Sequence, residues 1–356
     1  MSSDYDRQLL TYLTGGMASL ALALGKKLGL IEALCEVSSP SHHVTPDEVA
    51  EKAKCKPRYV REWLACLACA NLFQVDDEER FWVTEEQKKS LLNCPWIANM
   101  GFIPLFADVR DKLEDAFRAE NPRLGLDYSD YSKFYELMAG ISEARHREFL
   151  IPNVVPDLGH GIGDRLVAGG MKCLDIGCGN GLHVQIFAHA YPKSEFIGLD
   201  LVEEAIKSAN EHKEEEGTKN SSYVCCDATK LPDEWSNTFD FVTIFDACHD
   251  QTRPDLSIRE IHRVLKPGGY FAMVEIKGSS SVAEDKRDDG LRCAMFYACS
   301  VFHCLPVGSN KEGALCLGTM WGKEKQMALL KSAGFANPVA INPPYYSVNT
   351  IYVCEK

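Results

Sequence analysis

An apolar, β-branched run from Phe239 to Phe245 breaks off into Asp246, Ala247, Cys248, His249, Asp250 and Gln251. Several groups able to carry charge or exchange a proton thus arrive together where a buried strand should end. Histidine suits proton transfer near neutrality, because its ordinary pKa of about 6.5 leaves it mostly neutral at pH 7. His249 is therefore a candidate general base with Asp250 beside it. The competing reading is a loop or helix-start histidine in a polar turn. His303, in the aromatic and cysteine-rich stretch "CAMFYACSVFHCLPVG", is a weaker second candidate, with buried packing as its alternative.

A second constellation lies upstream. "CLDIGCGNGLHVQIFAHA" places Gly177, Gly179 and Gly181 between a strand and a helix. Glycine lets backbone approach a ligand closely, and the helix that follows presents unpaired N–H groups. Asp200 closes the next strand about 20 residues on, where an acid can bind ribose hydroxyls. Asp227 and Asp246 close two later strands, and acids at successive carboxyl ends of parallel strands face one crevice. The loop reads G-x-G-x-G, with Leu182 where a dinucleotide fingerprint has its third glycine, and no phosphate loop of the G-x-x-x-x-G-K-[ST] type is present. An NAD-dependent oxidoreductase is thereby a weakened alternative.

The elements that must position these groups follow from periodicity. From Gly170 onward, "KCLDI", "EFIGL", "SYVCC", "FDFVTIF" and "GYFAMVEI" alternate with amphipathic helices near 182–190, 203–213 and 257–265, and the tail adds one helix and two late strands. Such alternation predicts an α/β fold, a Rossmann-like doubly wound sheet of seven strands. Before it, "TPDEVAEKAKC" opens with Thr45 as N-cap ahead of Pro46, Asp47 and Glu48. A second helix, "RYVREWLACLACANL", and a hairpin with an acidic tip follow, a winged-helix pattern. The expected division is a winged-helix domain of the dimerisation type over 1–98, a helical connector contributing to the pocket over 99–167, and the Rossmann-like domain over 168–356.

These residues resemble class I S-adenosylmethionine-dependent methyltransferases: "LDIGCGNG" is close to their first motif, and "GLD", "CDATKLP" and "VLKPGG" match later ones in order and spacing. The resemblance implies S-adenosylmethionine as cofactor and S-adenosylhomocysteine as product. Carried over position by position, it implies that Asp175, Gly177, Gly179, Asn180 and Gly181 contact the methionine part. Asp200 would contact the ribose, with Leu201 beside it at the cofactor, Asp227 and Ala228 the adenine, and the backbone around Phe245 and Asp246 would flank the sulfonium. "FDACHDQTRPDL" is similar to the segment after the fourth strand in winged-helix O-methyltransferases of the caffeic-acid type, and more similar to uncharacterised bacterial and animal winged-helix methyltransferases with "DAxHDQ". It implies that His249 is the base, Asp250 its neighbour and Glu275 its orienting carboxylate. "FYELM" resembles a helix that brings Phe134 and Met138 to the cofactor. Methyl transfer to O, S or N of a small molecule is the function implied, with a possible homodimer through the N-terminal domain.

Composition sets the limits. The chain of 356 residues is 46% apolar and 25% charged, as soluble globular proteins are, and carries a net charge of −13. That charge disfavours nucleic acid or anionic membrane as a partner. A SAM-sensing winged-helix transcription regulator, the main alternative, needs basic residues on its reading helix, yet residues 41–90 hold eight Lys or Arg against ten Asp or Glu. No secretion signal is read in "GMASLALALGKKLGLIEAL", and with Lys26 and Lys27 interrupting it no membrane span is expected, so the expected location is cytoplasmic. The fifteen cysteines are scattered, Cys66 and Cys69 are expected on a shared buried helix face, and no metal site is expected.

Overall fold

Capping and apolar spacing set the helices of the N-terminal unit. α1 (Asp4–Lys27), α2 (Leu30–Val37), α3 (Pro46–Lys52) and α4 (Pro57–Cys69) lead to a hairpin of β1 (Gln74–Val75) and β2 (Phe81–Trp82), then α5 (Glu85–Asn93). Thr45 and Glu48 form a reciprocal capping box at the start of α3. Ile31, Leu34, Val49, Leu64, Leu67 and Phe73 fill this unit's core. The computed structural model describes residues 3–356 and groups them into two units, Met1–Asp108 and Val109–Lys356. The boundary falls within α6 (Phe102–Phe117), so residues 99–108 of the expected connector group with the first unit.

Two expectations are corrected here. Cys66 and Cys69 are exposed, because Val60, Trp63, Leu64, Leu67 and Ala68 already occupy the inner stripe of α4 and leave positions 66 and 69 outside it. Among the described residues, two helices, Asp4–Lys27 and Val282–Gly308, are long and apolar enough to cross a membrane by length and composition. Lys26 and Lys27 end α1 rather than interrupt it.

In the second unit, α7 (Phe134–Phe149) precedes the alternating core: β3 (Lys172–Ile176), α8 (Leu182–Ala190), β4 (Glu195–Asp200), α9 (Glu203–Glu216), β5 (Ser221–Cys225), β6 (Phe239–Phe245), α10 (Pro254–Val264) and β7 (Leu265–Ile276). Then come α11 (Val282–Cys299), α12 (Lys323–Ser332), β8 (Ala336–Ile341) and β9 (Asn349–Glu355). The strands lie in the order β5-β4-β3-β6-β7-β9-β8. The first five are parallel, and β9 runs antiparallel to both neighbours. Burial on both faces explains why β6 is apolar at five of its seven positions. Strand order reverses between β3 and β6, and the register aligns Ile176 with both Leu199 and Ile244. The loops after β3, β4 and β6 therefore open side by side at the switch point, where open α/β sheets bind ligands.

Candidate active site

A cavity of about 530 Å³ opens at that point, within the range of small-molecule sites. Its floor is the glycine loop. Gly177 and Gly181 adopt φ of +68° and +84°. A Cβ on Gly181 would stand 2.6 Å from the Tyr223 hydroxyl, and one on Gly177 would stand 2.7 Å from Ala247. Only glycine lets β3 turn into α8 against these neighbours. Asp200, at the end of β4, ties the loop to the next strand, accepting from the Gly179 N–H at 2.9 Å and the Val202 N–H at 3.0 Å. Burial raises its pKa against the pull of these bonds.

Asp246 stands at the end of β6 with φ +47°, a strained conformation for a residue with a side chain. Its Oδ1 accepts from Asn349 Nδ2 at 2.6 Å, and Arg145 Nη2 lies 3.9 Å from its Oδ2. Burial pushes this carboxyl up to about 6, with Arg145 opposing the rise. Arg145, from α7, lies over the Tyr346 ring at 4.9 Å and reaches the cavity, and its buried Nε has no protein partner among the described residues. Five carboxylates, Asp127, Asp200, Asp227, Asp246 and Asp250, line the cavity against two cations, Arg145 and Lys311.

A second polar cluster backs one wall. His249 is buried, and its Nδ1 meets Glu275 Oε2 at 2.7 Å. Glu275, fully buried on β7, is itself fixed by the N–H groups of Cys248 and His249 at 3.1 and 3.2 Å. His249 Nε2 faces Asp250 Oδ1 at 3.4 Å, and Tyr128 donates its hydroxyl to Asp250 Oδ2 at 3.0 Å. Burial alone would lower the His249 pKa, but the carboxylates of Glu275 and Asp250 outweigh it and hold the ring's pKa well above the usual value. His303 stacks on Phe134 with ring centroids 4.0 Å apart, and burial depresses its pKa to about 4.

Of the residues expected from sequence, Gly177, Gly179, Asn180, Asp200, Leu201, Asp227, Ala228, Phe245, Asp246, Phe134 and Met138 line the cavity, as does Asp250. Asp175, Gly181, His249 and Glu275 do not. Asp175 lies beneath the loop: it accepts from Thr243 Oγ1 at 2.7 Å, and burial pushes it up to about 7. Gly181 faces Tyr223. His249 stands behind Asp250 rather than at the surface of the cavity. Tyr128, Tyr135 and Arg145 also line it and were not picked from sequence. Tyr135 lies in the FYELM stretch marked by sequence, but nothing local marks Tyr128 or Arg145.

Residues 168–334 match a family model described as a methyltransferase domain, and residues 16–93 match an Rv2258c-like winged HTH domain. A ubiquinone/menaquinone biosynthesis C-methyltransferase from Shewanella sp. (strain W3-18-1) is 30% identical over 166 residues, 44% of this chain and 66% of that protein. The chain spans between 42% and 66% of the length of the first curated relatives it matches. The crystal structure of a putative O-methyltransferase from Nostoc punctiforme superposes with a TM-score of 0.73 at 16% identity, covering 100% of both chains. Human N-acetylserotonin methyltransferase in complex with SAM superposes with a TM-score of 0.62 at 18% identity, over 100% of this chain and 98% of that one.

Proposed function

We propose that this chain, in which a winged helix-turn-helix domain precedes a methyltransferase domain, transfers the methyl group of S-adenosylmethionine to a small-molecule acceptor. One observation carries the reading: a glycine loop and a row of strand-end aspartates share a cavity with Asp250, the cavity-lining member of a buried carboxylate–imidazole cluster. The residues present fit this cofactor. Asp200 suits the ribose hydroxyls and Asp227 with Ala228 the adenine, while Arg145, with its unpartnered Nε, suits the α-carboxylate. An excess of carboxylates suits a sulfonium cation and would repel a pyrophosphate, which counts against a dinucleotide. When bound, S-adenosylmethionine supplies a methyl carbon already activated for in-line displacement.

The residues of this chain then align the acceptor and take its proton as the new bond forms. Asp250 is the cluster member that lines the cavity, so it receives that proton, with Tyr128 donating to its Oδ2. His249 and Glu275 stand behind it and orient it. This moves the base role expected of His249 one residue along. Acceptors whose reacting atom is oxygen, sulfur or nitrogen all fit such a site.

The paired arginines of the winged helix support a structural role over DNA reading. Arg58 pairs with Glu62, and Arg61 makes a bidentate pair with Glu79, Nη2 donating at 2.7 Å and Nε at 3.1 Å. Leu9, Leu10, Leu13, Met17, Leu20 and Leu24 of α1 are exposed, and we assign this face to a second copy of the chain. The fifteen free cysteines fit reducing, cytoplasmic surroundings. The test is binding by calorimetry: S-adenosylhomocysteine is expected to bind at micromolar concentration and Asp200→Asn to abolish this. Binding of NAD or duplex DNA in its place would overturn the reading.

A further inference from the structure

The cluster behind Asp250 has a third partner that proton transfer does not use. Cys304 lies in a π-helical turn, Ser300–Cys304, at the end of α11, and such turns concentrate at functional sites. The turn brings the Cys304 thiol beside His249 and Asp250. One ring nitrogen of His249, a carboxylate oxygen of Asp250 and Cys304 Sγ all lie within 4.8 Å of one another. Tetrahedral ligands bound at about 2.0–2.3 Å stand about 3.3–3.8 Å apart. His249 Nε2 and Asp250 Oδ1 are already at 3.4 Å, and the remaining separations close with a shift of about 1 Å, within reach of side-chain adjustment.

Two further observations point to a ligand at this spot. The Asp250 side chain is only 9% exposed, and its Oδ1 has no hydrogen-bond partner among the described residues. His249 presents Nε2 because Nδ1 is held by Glu275 at 2.7 Å, and Glu275 is anchored in turn by two backbone N–H groups. A histidine fixed through its second nitrogen by a carboxylate is the arrangement that orients metal-ligating imidazoles.

We infer that His249, Asp250 and Cys304 bind a divalent cation of the zinc class. Imidazole, carboxylate and thiolate together suit zinc and exclude magnesium or calcium as the preferred ion. On binding, His249 loses its Nε2 proton and Cys304 its thiol proton, both to solvent, and each nitrogen or sulfur lone pair forms the metal bond. Of the three ligands only Asp250 lines the cavity, so a fourth ligand would approach from that side. An acceptor hydroxyl or thiol bound there would ionise more readily, its proton leaving to solvent rather than to Asp250, which the cation would then occupy. This consequence rests on the proposed placement of the acceptor against Asp250.

The experiment uses the full chain, stripped with chelator and reloaded with cobalt(II) or zinc. Expected are one equivalent of zinc by mass spectrometry, proton release on loading, and a thiolate-to-cobalt charge-transfer band in the near ultraviolet. Cys304→Ser should lose that band while Cys299→Ser keeps it, and Glu275→Gln should bind zinc about 10–100-fold more weakly. S-adenosylhomocysteine binding, measured in parallel, reports whether each variant is folded. Cobalt bound without the band in the wild type, or the same band in Cys304→Ser, overturns the inference. Intact S-adenosylhomocysteine binding by a protein that takes up no metal overturns the metal site alone. Absence of that binding in the wild type overturns the methyltransferase reading on which the acceptor's position depends.

Discussion

Asp175 offers a measurement that separates its structural setting from the role implied by the resemblance. The carboxyl is buried, with Thr243 Oγ1 on one oxygen and no hydrogen-bond partner among the described residues for the other, His183 Nδ1 being 3.9 Å away. Burial raises its pKa from 3.8 to about 7. An acid with a raised folded pKa holds its proton longer in the folded state, so stability falls as pH rises from the unfolded value toward and through the folded one. With the printed pKa values, the cost is about 1.5 kcal/mol at pH 5 and about 4 kcal/mol at pH 8. Asp175→Asn removes the titration while keeping the Thr243 bond. Its stability relative to wild type should therefore increase by about 2–3 kcal/mol between pH 5 and pH 8. Any constant packing change cancels in that difference. Urea unfolding followed by hydrogen exchange of peptides from β3 and β6 reads it without contribution from the N-terminal unit. A pH-independent difference, or a variant that loses ground as pH rises, would refute the reasoning. S-adenosylhomocysteine affinity should persist in the variant, since Asp175 does not line the cavity.

Three further outcomes are expected. Arg145→Met should weaken S-adenosylhomocysteine by about 10–100-fold, the value of a hydrogen bond to a charged group, yet leave methylthioadenosine unaffected because it lacks the carboxylate; equal losses by calorimetry would remove Arg145 from that contact. His249→Ala should lower kcat at least about tenfold with a hydroxyl acceptor and only slightly with a thiol, whose pKa of about 8.5 needs less assistance; assays with labelled cofactor decide it, and unchanged hydroxyl turnover removes His249 from the mechanism. Leu13→Glu with Met17→Glu should convert a dimer to a monomer in light scattering; a wild-type monomer, or partition of the wild type into vesicles, would show that α1 meets something else.

The floor of the cavity was legible in the sequence because its signals are local. Gly177, Gly179, Asp200 and Asp246 take their meaning from positions next to strand ends, and strand ends can be read from apolar runs. Orientation was harder to read. His249 and Asp250 are neighbours in sequence, and only the packing of Glu275 behind them decides which one meets the cavity. Asp175 carries the same ambiguity inside a strand whose two faces are both buried. Arg145 comes from a helix outside the sheet, and its approach to Asp246 depends on tertiary packing. Cys66 and Cys69 failed for a simpler reason: helical spacing tells that two residues share a side, but the larger apolar neighbours decide which side is inside.

The π-helical turn at 300–304 also has a meaning for chain length. A turn with one residue more than an α-helical turn shifts everything after it by about 100° around the axis. Upstream, Phe296 and Tyr297 pack against the cluster of Ile276 and Met320; downstream, Val307 lines the cavity and Pro306 accepts from the Leu126 N–H. A continuous α-helix could not serve both neighbours in this phase. What must be inherited across this stretch is thus a count as much as a composition, and losing one residue from it would turn His303 and Cys304 away from Asp250 more thoroughly than most substitutions at either position.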